Sequence, residues 1–314
     1  MTSWYDAVLL IAFGGPTRPE EIRPFLVRVT QGLPIPAARL EEVARHYEAV
    51  GGKSPLNEIT FRQAEALKKL LTEIKLPLPV YVGMRNAAPF FSDTLKRMAD
   101  DGVKRALGFI LSSHRTEASW ERYQKNIADA RAELSTGAPE IDYCDGWHDH
   151  PLFIQSWTEF IQAAMNRVEP DKRPKVPLIF TAHSLPTPMA ARSPYVEQLQ
   201  TSARLIATQL HYAGWSLAYQ SRSGRPSDPW LEPDIGKTIR KLASDGINEV
   251  IVAPIGFVCD HVEVLYDLDI DAKKLAHDLG VNMIRASCPN DHPSFVRMMA
   301  EVIQAKVRPI EDRG

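Results

Sequence analysis

Ala7-Val8-Leu9-Leu10-Ile11-Ala12-Phe13-Gly14-Gly15-Pro16 opens the chain with an apolar run that stops abruptly in two glycines and a proline. An uncharged run of that length reads as a strand buried on both faces, and the glycines and proline read as the turn that ends it. The same succession returns in the second half as Pro177-Leu178-Ile179-Phe180-Thr181-Ala182-His183-Ser184-Leu185-Pro186, again followed by a long helical region. Outward from these two openings, short apolar runs alternate with amphipathic stretches. The spacing predicts strands at Ala7–Phe13, Pro79–Gly83, Ala106–Leu111, Ile141–Tyr143, Pro177–Ala182, Ser216–Ser221, Glu249–Ile255 and Asn282–Ala286. Helical crossovers between them imply parallel pairing and an α/β fold. The strands divide evenly around residues 144–176, where Gly146, Pro151, Pro170, Pro174 and Pro177 punctuate a single helical stretch, Pro151–Val168. Two domains are therefore expected, 1–148 and 149–314, as similar halves facing a cleft. The tail Val307–Gly314 is expected to fray.

Composition narrows the chemistry. The chain has 314 residues, of which 44% are hydrophobic and 24% charged, with a formal net charge of −2. That is ample material for a core, but it lacks the basic surplus a nucleic-acid partner requires. The loop after the first strand lacks a third glycine at dinucleotide spacing, Pro16 removes an N–H that a phosphate nest would use, and no GxxxxGK[ST] occurs. Nucleotide-dependent chemistry is disfavoured. Ala7–Phe13 is too short to span a bilayer and Met1–Asp6 lacks the basic start of a secretory signal, so a cytoplasmic protein with no transmembrane segment is expected. Cys144, Cys259 and Cys288 are odd in number and scattered, which points to reduced, buried thiols and away from a disulfide framework or a structural zinc site.

Three constellations could carry chemistry. His183 falls at a strand's carboxyl end, where open parallel sheets bind their ligands, and an imidazole there can hold a metal or accept a proton. The plain structural alternative is a histidine that bonds a backbone carbonyl in the turn. Ser184 beside it does not form the GxSxG elbow of a hydrolase. The second constellation is Asp260-His261-Val262-Glu263-Val264-Leu265-Tyr266-Asp267-Leu268-Asp269-Ile270-Asp271. In a helix starting near Asp260, Glu263, Asp267 and Asp271 would line one face, as a solvated acidic stripe or as a path for a cation. Asp260-x-x-Glu263 also has the form of a capping box. The third is the Gly- and Pro-rich loop from Tyr219 to Asp234, where Pro233 fits the first turn of the next helix and Trp230 is open to packing on its own domain or walling a flat ligand.

Taken together, AHSLP, YQSRSG…DPWLEPDI, PIGFVCDHVEVLYDLDIDA and GGKSPLN (Gly51–Asn57) resemble a ferrochelatase, the enzyme that inserts ferrous iron into a porphyrin. The likeness runs from about Val8 to Ile303. The segments LLIAFGGPTRPEEIRPFL, HYEAVGGKSPLN and PVYVGMRNAAPF resemble especially the soluble ferrochelatases that act on coproporphyrin III on the way to haem b. The resemblance implies two Rossmann-like (class II chelatase) domains, each with a four-stranded parallel sheet flanked by helices. It implies His183 and Glu263 as the pair beside the porphyrin centre, serving as iron ligands and proton acceptors. Asp267 and Asp271 become candidate metal residues that conduct or hold a hydrated cation, bind an accessory Mg²⁺, or bind nothing. Ser54 and Tyr123 resemble propionate anchors, and His46, Tyr47 and Thr30 resemble substrate contacts. The family commonly has Arg at the position of His46 and can carry a basic residue at that of Thr30; Arg28, Arg45 and Lys53 are available to compensate. Phe13 stands where some relatives carry an iron-ligating Tyr and is expected to serve as a hydrophobic wall. Three scattered cysteines cannot supply the four ligands of the [2Fe–2S] cluster of some relatives, so none is expected. The implied partners are porphyrin and Fe²⁺, with transient contact to other haem-pathway enzymes.

Competing readings are a protoporphyrin IX ferrochelatase, a nickel or cobalt chelatase for a reduced tetrapyrrole, and a non-catalytic haem or metal carrier. The four propionates of coproporphyrin III suit a chain without a strongly apolar lip. A carrier would need one axial ligand, whereas two bases facing one cleft favour catalysis.

Overall fold

The structure, a computed structural model, describes residues 4–32, 35–134, 137–223 and 227–307. Its strands are β1 (Ala7–Ala12), β2 (Val80–Met84), β3 (Arg105–Ile110), β4 (Glu140–Tyr143), β5 (Leu178–His183), β6 (Trp215–Gln220), β7 (Glu249–Ala253) and β8 (Asn282–Arg285). No strand boundary lies more than two residues from its expected place. The strands form two four-stranded sheets, ordered β2-β1-β3-β4 and β6-β5-β7-β8, with every neighbouring pair parallel. β1 is buried at every position and β5 at every position but His183, as strands covered by helices on both faces must be. In both sheets the first strand is central and its successors pair on either side of it, so β1/β3 and β5/β7 are the switch points where such sheets bind ligands.

The chain separates into two compact units, one of Met1–Ser112, Glu117–Trp147 and Asn290–Gly314, the other of Ser113–Thr116 and His148–Pro289. This differs from the division expected at 148/149, because the last segment returns to the first unit. The cause is the C-terminal helix Pro293–Val307. Phe295 meets Trp147 edge to face at 5.8 Å, and Trp147 in turn stacks on Phe109 of β3 at 5.6 Å. Gln63 donates to the Asn290 carbonyl at 2.7 Å, and Arg62 pairs with Asp291 at 2.9 Å. An apolar helix face says that it must be covered but not by which sheet. The core of the first unit also includes Leu9, Ile11, Phe91, Leu95, Ile110, Trp120 and Ile127. In the second unit Phe153, Trp157, Phe180, Leu199 and Ile251 are fully buried. The expected frayed tail falls on residues 308–314, outside the described residues.

Candidate active site

In the second unit the two adjacent strands β5 and β7 deliver the pair singled out in the sequence. His183 is the last residue of β5, and Glu263 lies on the short helix Val262–Leu265 that follows the loop leaving β7. That loop crosses the end of β5 in contact, since a Cβ on Gly256 would come within 2.5 Å of Ala182 Cβ. Only glycine permits that approach. The Gly256 N–H donates to the Thr181 carbonyl at 3.0 Å and fixes the crossing. His183 Nε2 then stands 3.6 Å from Glu263 Oε1, with both side chains partly exposed.

Backbone partners set the imidazole. His183 Nδ1 lies 2.5 Å from the Ser184 carbonyl, which can only accept, so Nδ1 carries its proton and Nε2 faces the carboxylate. The bond to a turn carbonyl thus occupies one ring nitrogen and leaves the other facing the carboxylate. The buried Tyr195 hydroxyl donates to the His183 carbonyl at 3.0 Å. Burial disfavours the imidazolium, but the charge and hydrogen bond of Glu263 outweigh it and raise the His183 pKa. Burial likewise disfavours the Glu263 carboxylate, and the neighbouring His183 reverses this and lowers its pKa. Each member of the pair thus favours the charged form of the other.

The acidic stripe takes another shape than the expected continuous α-helix. Val262–Leu265 is α-helical, Asp267–Ala272 is a π-helical turn closed by Asp271 N–H donating to the Tyr266 carbonyl at 2.9 Å, and Lys273–Asp278 is α-helical again. The wider turn breaks the stacking of residues four apart. Asp267 is part-buried, accepts a hydrogen bond from the Ser221 hydroxyl, and is pushed up to about 7 by burial, which outweighs that bond. Ser221 holds its place with φ of +61°, the left-handed region a serine rarely occupies. Asp271 is exposed. Among the described residues no three His, Cys, Asp or Glu side chains converge to hold a metal ion, so the convergent feature is the His183–Glu263 pair.

The expected capping box is also replaced. The N-cap is His261, whose Nδ1 accepts from the Glu263 N–H at 3.2 Å. Asp260 instead pairs with Arg285 at 2.8 Å, and the same guanidinium forks onto Asp269 at 2.7 and 2.8 Å. Arg285, at the end of β8, thereby ties down both flanks of the acidic segment and neutralises acids that the sequence leaves without a cation. Pro233 precedes its helix rather than entering the first turn. Asp234 is the cap there, accepting from the Gly236 N–H at 2.8 Å. Trp230 pairs through its backbone with Pro186, next to the His183 turn, and residues 224–226 of the same loop lie outside the described residues.

In the first unit the turn after β1 is tied to the GGKSPLN loop. Gly15 N–H donates to Asn57 Oδ1 at 2.8 Å and Asn57 Nδ2 donates to the Gly15 carbonyl at 2.9 Å. A Cβ on Gly15 would come within 2.8 Å of Ser54 Cβ, so this glycine too is required by contact. Phe13 is 38% exposed and meets Phe25 edge to face at 6.2 Å, and Phe25 meets Tyr47 at 5.8 Å. His46 beside them is partly exposed. Ser54 is buried, its hydroxyl accepting from the Leu56 N–H at 3.3 Å, and Tyr123 is buried against Phe91. The Thr30 hydroxyl donates back to the Leu26 carbonyl at 2.8 Å. Of the basic residues nearby, Arg28 donates to the Asn86 carbonyl at 2.8 Å and covers the Phe90 ring, and Lys53 pairs with Glu58 at 2.7 Å. All three cysteines are free and buried, and burial raises each thiol pKa.

The family model described as ferrochelatase matches residues 5–307. The chain belongs to the ferrochelatase family. It is 42% identical over 307 residues to the coproporphyrin III ferrochelatase of Nocardia farcinica, covering 95% of this chain and 87% of that one. With the coproporphyrin III ferrochelatase of Mycolicibacterium paratuberculosis it shares 44% identity over 302 residues, 95% and 87% of the two chains. With the ferrochelatase of Rhodopirellula baltica it shares 39% over 310 residues, 98% and 88% of the two. Among solved structures, SirB from Bacillus subtilis with Fe³⁺ superposes with a TM-score of 0.59 at 10% identity, covering 98% of this chain and 97% of that one. CbiX, the terminal enzyme for siroheme biosynthesis in denitrifying bacteria, superposes with 0.56 at 17% identity, covering 96% and 100%. These two likenesses concern the fold, which is that of the class II chelatases.

No helix among the described residues is long and apolar enough to cross a membrane. Within this ferrochelatase fold, the sequence points to His183 and Glu263, which the structure brings together, but not to Arg285, Tyr195 or Gly256. Tyr195 acts on His183, and Arg285 on the acidic segment, each from a separate element. The signal for Gly256 was a lone glycine after an apolar strand, where a close backbone approach is a standard reason for one.

Proposed function

We propose that the protein inserts ferrous iron into coproporphyrin III, yielding Fe-coproporphyrin III in the formation of haem b. The observation that carries this reading is the His183–Glu263 pair, 3.6 Å apart, one at the end of β5 and the other on the helix after the β7 loop, in a chain of the ferrochelatase family. Coproporphyrin III is preferred to protoporphyrin IX because several relatives at 39–44% identity are coproporphyrin III ferrochelatases.

The chemistry asks for what the pair offers. As Fe²⁺ enters, two pyrrole protons must leave, so a base must stand beside the ring, and an imidazole nitrogen with a carboxylate oxygen suits borderline Fe²⁺. His183 Nε2, oriented by the bond from Nδ1, and Glu263 Oε1 take these roles as iron ligands and proton acceptors. Nε2 can ligate iron or accept a pyrrole proton only in its unprotonated form, with Nδ1 keeping the proton it gives to the Ser184 carbonyl. A flat porphyrin keeps its nitrogen lone pairs in the plane, and binding energy from the propionates is available to bend it. Phe13 supplies an apolar wall, and Thr30, His46, Tyr47, Ser54 and Tyr123 shape the substrate-contacting end of β1, with His46 an accessible hydrogen-bonding group.

Asp267 and Asp271 are assigned to a hydrated cation, whether Fe²⁺ in transit or an accessory Mg²⁺. No [2Fe–2S] cluster and no nucleic acid belong to this reading. Partners beyond porphyrin and iron are transient contacts with other haem-pathway enzymes. A substrate with four propionates is water-soluble, and a cytoplasmic location goes with it. Anaerobic Fe²⁺ insertion followed in the porphyrin absorption bands tests the assignment. Turnover by the wild-type chain and its loss in folded His183→Ala support it, and full turnover by that variant overturns it.

A further inference from the structure

Gln220 is the last residue of β6 and sits in register beside His183. It is only 1% exposed, and both the oxygen and the nitrogen of its side-chain amide are engaged. Thr181 Oγ1 donates to Gln220 Oε1 at 2.8 Å, Gln220 Nε2 donates to the Glu263 carbonyl at 2.6 Å, and the Gln220 main-chain carbonyl accepts from the Ser184 N–H at 2.7 Å. The Glu263 carbonyl can only accept, so the orientation of the amide is determined: nitrogen toward Glu263, oxygen toward Thr181. One side chain thus joins the strand that ends in His183 to the backbone of Glu263, and the main chain of the same residue holds the turn after His183.

From this geometry we infer that Gln220 is a positioning residue that sets the separation of His183 and Glu263. Without it, the helix carrying Glu263 keeps its Arg285 tether at the flanks but loses the direct tie to β5. The Glu263 carbonyl and the Thr181 hydroxyl would then be buried without partners and would draw the helix toward water. The inference rests on the assignment of His183 and Glu263 as the reacting pair.

Zn²⁺ alone, titrated against a chromophoric chelator, reads the pair without turnover. For Gln220→Met, the Zn²⁺ dissociation constant is expected to rise about tenfold at unchanged stoichiometry, and kcat/KM for Fe²⁺ to fall tenfold to a hundredfold, the usual cost of losing a residue that orients a ligand. Gln220→Glu keeps the bond from Thr181 but turns an oxygen toward the Glu263 carbonyl, and is expected to fall with Gln220→Met. Wild-type Zn²⁺ affinity and iron kinetics in either variant, with native circular dichroism, overturn the inference. Should both fail to fold, Thr181→Val, which removes only the donor that orients the amide, is expected to weaken Zn²⁺ about threefold, a fraction of one hydrogen bond's effect; wild-type affinity there overturns it. His183→Ala in the same titration keeps the two claims apart. Unchanged Zn²⁺ binding in that variant rejects the pair itself, whereas weakened binding there beside wild-type behaviour at residue 220 rejects Gln220 alone.

Discussion

His183 Nε2 faces Glu263 Oε1 across 3.6 Å, while Nδ1 of the same ring is held by the carbonyl of the next residue. The ring can therefore neither rotate nor exchange its two nitrogens without losing a partner. Replacing either member should remove a base or ligand while leaving the sheet intact. His183→Ala and Glu263→Gln are each expected to lower kcat for iron insertion by about 10²- to 10⁴-fold, with native circular dichroism. A folded variant within a few-fold of wild type would remove that residue from the chemistry.

Asp271 is the exposed end of the acidic segment and Asp267 its part-buried middle. If the segment carries the cation, Asp271→Asn should raise KM for Fe²⁺ several-fold and leave KM for porphyrin unchanged. Steady-state kinetics with each substrate varied in turn decide this. Equal iron KM values would return Asp271 to the role of a solvated acid.

Arg285 forks onto Asp269 and also reaches Asp260, with its side chain only 15% exposed. Truncation leaves the part-buried carboxylates of Asp260 and Asp269 without the cation they share, so Arg285→Met should cost about 3–5 kcal/mol of stability. Arg285→Lys keeps the charge without the fork and should recover only part of that loss. Chemical denaturation of the three proteins checks the order. A Met variant as stable as wild type would show that the two aspartates find other partners.

His114 is buried, with Nε2 3.0 Å from the Ser202 hydroxyl and Nδ1 2.8 Å from that of Ser113. Ser202 spends its proton on the His148 carbonyl at 2.7 Å, so it accepts from His114 Nε2–H, and Ser113 donates to Nδ1. Burial, helped by the nearby His148, lowers the His114 pKa to about 3. The unfolded chain binds this proton near pH 6.5 and the folded chain does not. Stability is thus complete above 6.5 and declines as pH falls toward 3, by up to about 1.4 kcal/mol per pH unit for this one group. Unfolding free energies between pH 7.5 and 5 should show the decline, and His114→Gln should flatten it by about one proton. An unchanged slope in that variant would assign the acid sensitivity elsewhere.

Most of the architecture was legible because each βα unit announces itself locally. A buried parallel strand is a continuous apolar run, and Ala7–Ala12 and Leu178–His183 could hardly be anything else. The position of His183 at such a strand's end was legible for the same reason. What stayed hidden depended on contacts between distant elements. The helix Pro293–Val307 returns to the first unit through Phe295 and Trp147, Arg285 neutralises Asp260 and Asp269, and Gln220 reaches the Glu263 backbone. The π-helical turn at Asp267–Ala272 was hidden differently: residues spaced four apart suit an α-helix equally well, and one extra residue per turn leaves no mark in composition.

The most direct test of the central claim is an anaerobic Fe²⁺ insertion assay that measures kcat/KM for coproporphyrin III and protoporphyrin IX side by side. The account predicts turnover of both or of coproporphyrin III alone, with coproporphyrin III at the higher kcat/KM. Faster turnover of protoporphyrin IX would contradict the substrate assignment, and insertion into neither porphyrin would contradict the function itself.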